Sequence, residues 1–572
     1  MILKIIHNDY KNKNIATDGE KRVRKFIEKM YKNINIDDDR TAYLYIDYPI
    51  SNSYKPDFVI IDPIKGISII EVKDWSMSYI KNITQEEAEL IDRRDCNPAR
   101  KACKYLDTIK TNLSHEDFKF IKNKISSCIV YTNISRDELT DKNVNAFMSK
   151  NIKSCFKNEE LDESIFNNEV RDLDLDRIEM NKIRAALYPE ISVYKEKKII
   201  DALNLSQEDV IRKYPRTNCM LTGLPGSGKT LILIARAIYT LKENPDYESI
   251  LIVVYNSSLR KYIEDVISKL STYLYEFDIK RIYVKTYDVL CQEITNRKIE
   301  SKNKVEKAKE FESIREDAFI KSNSIEPIYD AVFVDEYQDF EKEWICVCKA
   351  VCKAVYKEDG KKNWNMFFTG DRLQQINTKG TFNWENDFGL GMQGKSMFLK
   401  ESYRTEYEFL NLGLRFLEEN KKIRKDVKKY YYDESEGEGL SCSKNTGQEI
   451  EFIEHQNIYF LKEKVKSILK DGYKEKDILI LCPTKKTIKE IGKILPNITA
   501  CTYISSKGLE YKVVILMNVN DRKVFFEEDL ELEYKTIYVG ITRASEMLII
   551  HSYGNEDSYF DFYNLLKECY EN

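Results

Sequence analysis

GLPGSGKT, residues 223–230, decides how the rest of the chain is read. It fits G-x-x-x-x-G-K-[ST], a loop whose backbone wraps a phosphate group. The apolar triplet Cys219-Met220-Leu221 predicts a strand before it, and residues 230–241, apolar nearly all round, predict a buried helix after it. Gly223, Gly226 and Gly228 permit the tight turn that aims successive N–H groups inward, with Ser227 among them. The helix start adds partial positive charge. Lys229 is then placed to reach β- and γ-phosphates, and Thr230 offers a hydroxyl to Mg²⁺. The alternative is an ordinary glycine turn opening a helix.

Length and composition bound what can surround this loop. At 572 residues the chain is too long for one core, so several domains are expected. Charged residues make up 33% and hydrophobic ones 42%, as in a soluble globular protein. A net charge of −4 gives no overall basic field, so nucleic-acid contact must rest on local patches. No apolar run approaches a membrane span, and MILKIIHNDYKNK lacks the apolar core and cleavage site of a signal peptide. The 13 cysteines are scattered without a C-x-x-C pair, which suits a reducing, cytoplasmic location. Cys346, Cys348 and Cys352 read as small buried hydrophobes, with a metal site the alternative.

Upstream of the loop, GEKRVRKFIEKMYK places Val23, Phe26, Ile27 and Met30 on one helical face. Glu20 shares that face and needs a partner there, a metal or a base; complementing the helix dipole is the alternative. In KPDFVIIDPIKGISIIEVKDW, two β-branched runs flank the turn residues 62–66 and read as a hairpin. Centred on Ile64, it sets Asp57 opposite Glu71, with Lys73 on the same face. Facing carboxylates repel unless a cation sits between them, and a nearby lysine can stabilise charge or help activate water.

Asp57 followed by Glu71-Val72-Lys73, with Gly19-Glu20 before and Asn97-Pro98 after, resembles the PD-(D/E)xK core of the nuclease-related domain called NERD. The resemblance covers roughly residues 15–130. It implies that Glu20, Asp57 and Glu71 hold Mg²⁺ while Lys73 assists phosphodiester hydrolysis. One departure stands out. Lys101 occupies the place where such domains often carry glutamine, with Tyr105 one turn later. A lysine there could still meet a phosphate, and a domain that binds without cutting is the alternative.

Downstream, five stretches follow in order: DAVFVDEYQDF, MFFTGDRLQQI, LKESYRT, SSKGLEYKVVIL and YVGITRA. With the loop at 223–230 they resemble the UvrD/Rep-like superfamily 1 helicases, from Gln207 to the C-terminus. The resemblance implies that Gln207 reads adenine, that Tyr403 stacks on it, and that Glu510 contacts the ribose. Asp335 would hold Mg²⁺, and Glu336 would deprotonate the attacking water. Gln374, with Asp371, would link the γ-phosphate to the strand path, while Arg404 and Arg543 neutralise γ-phosphate charge. Tyr255 and Thr286 would contact single-stranded nucleic acid. Phe382 and Trp384 would stack on bases, with core packing as the alternative. Ile504 stands where the family often has a histidine.

The expected fold class is α/β: an N-terminal PD-(D/E)xK nuclease-like α/β domain at 1–165, then two RecA-like parallel-sheet motor domains at 205–398 and 399–572. A charged helical linker at 166–204 joins them. About a hundred residues separate Arg404 from Thr502, and 449–500 already read as strand, helix, strand and helix. The accessory domain that larger relatives insert there is therefore expected to be absent. The patch 421–432, six cations and three tyrosines, reads as a strand grip or a solvated helix end. The functional expectation is an ATP- and Mg²⁺-dependent helicase or translocase coupled to a nuclease. It would act on single-stranded or partly duplex DNA, with RNA left open, in DNA repair or anti-phage defence. The alternative is an ATP-driven binding motor or sensor whose first domain does not cut.

Overall fold

The computed structural model describes the chain except residues 8–16, 33–39, 52–53, 141–143, 150, 160, 167–171, 196–197, 214–215, 272–277, 302, 357–361, 377–381, 432–440, 443, 449, 456, 521–526, 555–559 and 572. It divides into two compact units. The first holds Met1–Pro215 with Ile234–Ile250 and Glu264–Ile282; the second holds Arg216–Leu233, Leu251–Ile263 and Tyr283–Asn572.

The first unit is built on a six-stranded sheet in the order Ile2–His7, Thr41–Ile46, Phe58–Asp62, Gly66–Lys73, Ile125–Tyr131, Lys153–Cys155. Its central strands are apolar on both faces because helices cover them, among them Asp18–Lys32, which turns Val23, Ile27 and Tyr31 inward. The hairpin forms in the expected register, Phe58 facing Ile70 and Asp62 facing Gly66, so Asp57 and Glu71 flank each other where the pairing ends. Turn chemistry pins that register. Asp62 Oδ1 accepts from the N–H groups of Ile64 and Lys65, both at 2.7 Å, and Gly66 takes a φ of +96°. Tyr31 donates to the other carboxylate oxygen at 2.6 Å, tying the turn to the helix.

The segment expected to be a helical linker is only partly helical. One helix, Arg177–Leu187, is followed by an antiparallel ribbon of Ser192–Lys195 and Lys198–Ala202. Two of its charges, Arg184 and Glu190, are satisfied inside the unit rather than by solvent, which charge density alone does not reveal. Arg184, 2% exposed, donates to Tyr45 Oη at 2.9 Å and Asn181 Oδ1 at 2.9 Å, and pairs with Glu208 at 2.5 Å. Glu190 bonds Lys242 and accepts from Tyr48 Oη at 3.3 Å. Removing one partner of such a pair leaves an uncompensated buried charge, at a cost of roughly 3–5 kcal/mol. This core thus joins the first sheet, the joining helix, the Gln207 helix Leu205–Arg212 and the end of the helix Lys229–Glu243.

Two further sheets follow. One has the order Ile282–Thr286, Ile250–Val254, Ala331–Val334, Met366–Gly370, Cys219–Gly223, Ser396–Leu399. The other, all parallel, runs Ile450–Glu454, Ala544–Ser552, Tyr511–Leu516, Ile478–Cys482, Thr499–Thr502. Between Arg404 and Ile450 the described residues add two helices, Tyr407–Glu418 and Lys421–Tyr431, and a two-residue strand, Ser441–Cys442. Ile423 and Val427 anchor the second helix, while Lys421, Lys422, Arg424, Lys425 and Lys428 stand exposed. Tyr432 of that patch lies outside the described residues.

Candidate active sites

The glycine loop leaves strand Cys219–Gly223 and enters helix Lys229–Glu243, as its residues require. Gly226 has a φ of +72°, and a Cβ there would lie 2.7 Å from Arg404 Cβ and 3.0 Å from Ser402 Oγ. Only glycine lets the loop pass this close to the segment bearing Tyr403 and Arg404. Tyr403 N–H donates to Gly226 O at 3.1 Å, and its hydroxyl bonds Glu401. Ser227 is buried in the loop. Lys229 Nζ donates to Gly223 O and Leu224 O at 3.0 and 2.9 Å. Burial lowers the Lys229 pKa, against the raising effect of Asp371 and Glu336.

Thr230 Oγ1 donates to Asp335 Oδ2 at 2.8 Å, so the hydroxyl and carboxylate expected to share Mg²⁺ already meet. Thr369, which sequence reasoning passed over, donates to Asp335 Oδ1 at 2.6 Å from the adjacent strand. Burial, then the charge of Glu336, pushes Asp335 up to about 6. Glu336 takes a left-handed backbone, φ +54°, which places a non-glycine residue under strain at the strand end. Burial works to raise its pKa, but Lys507, Lys229, Gln338 and Arg543 prevail and hold it low.

Those cations come from far along the chain. Arg543 Nη2 donates to Gln374 Oε1 at 2.9 Å, and Lys507 Nζ to Gln374 O at 2.6 Å and Asp339 at 2.7 Å. Gln374 is in turn held by Asp371 Oδ2 at 3.1 Å. Arg404 reaches Glu510 at 3.4 Å, and its Nε is buried without a partner. Burial, then Arg404, lowers the Arg543 pKa to about 10. Two guanidiniums, a lysine and two carboxylates thus gather at one loop. Gln207 lies in the other unit, where its side-chain oxygen accepts from Asn204 N–H at 3.0 Å in a reciprocal helix cap.

The residues expected to touch a strand divide. Tyr255, 38% exposed, stacks 6.2 Å from Trp344, which stacks 4.3 Å from Tyr287 under the Arg315 guanidinium. Thr286 is buried and caps the helix Tyr287–Thr295. Trp384 is buried as well, packed 4.6 Å from Phe368 and 5.4 Å from Phe388, so core packing accounts for it. Phe382 is only partly covered and lines a cleft of about 570 Å³ with Trp384, Met392 and Gln393.

In the first unit, Glu71 is 1% exposed and its Oε1 accepts from Lys73 Nζ at 2.7 Å. Burial lowers the Lys73 pKa, but Glu71 outweighs it and the net shift is upward. Asp57 accepts from Val72 N–H at 2.5 Å, and burial, then the charge of Glu71, pushes its pKa well up. Glu71 Oε2 is buried with no hydrogen-bond partner. A divalent cation fits this arrangement at Asp57 and Glu71, since it would satisfy the orphaned oxygen and separate the facing charges. Glu20 instead caps its own helix, accepting from Thr17 N–H at 2.9 Å. Its pKa is raised by burial and by Asp47, Asp74 and Glu71, which places it among the same acids. Among the described residues no three acidic, histidine or cysteine side chains converge on one metal position.

The chain thus has an α/β fold with a glycine loop, acids and arginines in one part and a carboxylate–lysine hairpin in another. Family comparison agrees. Residues 203–323 match the UvrD/REP helicase N-terminal domain, 492–555 the UvrD-like helicase C-terminal domain, and 15–132 the nuclease-related domain, NERD. Three segments of the chain thus match, in order, a nuclease-related domain and the two domains of UvrD/REP-type helicases. No curated protein matches it. A solved structure described as "The structure of PRRSV helicase" is similar at 13% identity and a TM-score of 0.31, over 63% of this chain and 59% of that one.

Proposed function

We propose that this chain is an ATP-driven motor on single-stranded DNA that also carries a metal-dependent nuclease. The observation that supports it best is that Arg404 packs against Gly226 of the loop while the charges of Lys507, Lys229 and Arg543 act on Glu336. In this reading Lys229 exchanges its loop carbonyls for the β- and γ-phosphates, and Thr230 and Asp335 hold Mg²⁺. Glu336, kept ionised by its cations, takes the proton of the attacking water. Arg404 and Arg543 stabilise charge on the transferred phosphoryl group. Gln207, Tyr403 and Glu510 serve the base and ribose, and Tyr255, Thr286 and Phe382 border the strand. Gln374 accepts from Arg543 through its side-chain oxygen and from Lys507 through its backbone carbonyl, so one residue would couple both cations to the strand path.

In the first domain Asp57 and Glu71, with Glu20 nearby, would hold Mg²⁺, which supplies charge neutralisation at a phosphodiester. Lys73 adds a fixed positive charge on the same face. A cytoplasmic role in DNA repair or anti-phage defence suits such a fusion. The lack of a third converging acid among the described residues favours a second reading, in which the first domain grips DNA without cutting it. Incubating the purified chain with labelled single- and double-stranded DNA, with and without Mg²⁺ and ATP, separates the two. Mg²⁺-dependent fragments support the first reading, and strand displacement without fragments supports the second.

A further inference from the structure

The nuclease-type site contains one cation that its motif does not ask for. Lys101 lies one turn into the helix Pro98–Asn112. That helix is fixed at its start by Asn97, whose Oδ1 accepts from Ala99 N–H at 2.7 Å. The Asn97 amide group donates to Thr84 O at 2.6 Å and Ala146 O at 2.8 Å, so the first turn cannot drift. From this anchored start Lys101 Nζ reaches Glu71 Oε1 at 2.8 Å. The same oxygen already accepts from Lys73 at 2.7 Å, while Oε2 of the same buried carboxylate has no hydrogen-bond partner, the nearby Tyr105 hydroxyl donating to Lys55 O at 3.2 Å instead.

Two ammonium groups on one oxygen and none on the other is a lopsided arrangement. An orphaned buried carboxylate oxygen costs desolvation energy unless something charged meets it. Asp57 flanks Glu71 across the hairpin, so a second acid lies beside this carboxylate. Resting on the nuclease reading above, we propose that Lys101 is a positioning residue of this site. With Lys73 it holds Glu71 by Oε1 and presents Oε2 to a divalent cation shared with Asp57.

A glutamine at this position would donate a hydrogen bond without charge. The lysine therefore has a consequence that a packing role would not have. It repels the cation while fixing its ligand, so the site should bind metal more weakly than its glutamine version but hold a better aligned carboxylate.

Mn²⁺ binding provides the test, read by the resonance of free Mn²⁺ without nucleotide, in the full chain carrying Asp335→Asn so that the motor's acid does not contribute. Lys101→Gln should tighten Mn²⁺ binding roughly tenfold, and Asp57→Ala should remove that binding. In the otherwise unaltered chain, Lys101→Gln should slow Mn²⁺-dependent DNA cleavage at least tenfold, while Lys101→Arg should stay within about threefold of the parent in both assays. Unchanged Mn²⁺ affinity in Lys101→Gln, or binding insensitive to Asp57→Ala, would overturn the assignment. If Mn²⁺ binding depends on Lys101 as described but no DNA is ever cut, the assignment of Lys101 stands and the nuclease reading fails by itself.

Discussion

The two acid pairs of this chain are built by the same rule but from different sources. At Asp335-Glu336 cations gather on Glu336, while Asp335 has only hydroxyl and N–H donors and is pushed up to about 6. At Asp57 and Glu71 the lysines gather on Glu71, while Asp57 has only the Val72 N–H and is pushed up. Each site thus pairs an acid held by cations with an acid raised by burial and its neighbour. The difference lies in where the cations originate. Lys73 and Lys101 belong to the same small domain as Glu71. Lys507 and Arg543, whose charges act on Glu336, come from far along the chain and bond Asp339 and Gln374. Two of the cations that hold the Glu336 pKa low thus come from far along the chain, whereas the lysines bonded to Glu71 lie in its own domain.

The largest expected effect comes from the loop itself. Lys229→Ala should abolish DNA-stimulated ATP turnover, measured as phosphate release, because the β- and γ-phosphates lose their main side-chain partner. Glu336→Gln should still bind a fluorescent ATP analogue while turnover falls by roughly two orders of magnitude or more. Loss of binding in a folded variant would mean that the two carboxylates have been assigned the wrong way round.

Lys507→Ala tests the dependence on these distant cations directly. Removing the leading cation at Glu336 should raise the pKa of that acid, so the acid limb of the kcat–pH profile should move upward and kcat fall roughly tenfold. A profile that keeps its shape would break the comparison drawn above.

The smallest effect concerns stability. Burial and Glu336 raise the folded pKa of Asp335 above its ordinary value of 3.8, so its charged form costs stability. That cost is absent below about pH 4, grows on the way to about 6, and is full above it. Asp335→Asn should therefore stabilise the nucleotide-free protein at pH 7.5, by on the order of 1 kcal/mol, and much less at pH 4.5. Equal gains at both values in thermal melts would contradict the assigned shift.

Much of this was legible in the sequence because it is local. The loop, the strand–helix order around it and the hairpin register follow from glycine positions, β-branched runs and one Asx turn. What was not legible depends on distance in the chain. Lys101 meets Glu71 only because a helix folds back beside the strand, and Thr369 meets Asp335 only because their strands are neighbours. The Lys507–Asp339 pair requires both halves of the motor. Charge density also misled: the joining segment 166–204 read as a charged helical linker, yet it includes an antiparallel ribbon, and Arg184 and Glu190 are buried and paired. For Trp384 the residue type served equally for stacking or core, and packing chose the core.

The central claim is that two separate acid sites serve two reactions in one chain. Glu71→Ala in the full-length protein tests it most directly, with Mg²⁺-dependent cleavage of labelled single-stranded DNA and DNA-stimulated ATP turnover read side by side in one sample. The account predicts that cleavage is lost, as in Asp57→Ala and in the double variant, while ATP turnover persists. Cleavage that survives in Glu71→Ala, or ATP turnover that disappears with it in a folded protein, would contradict it.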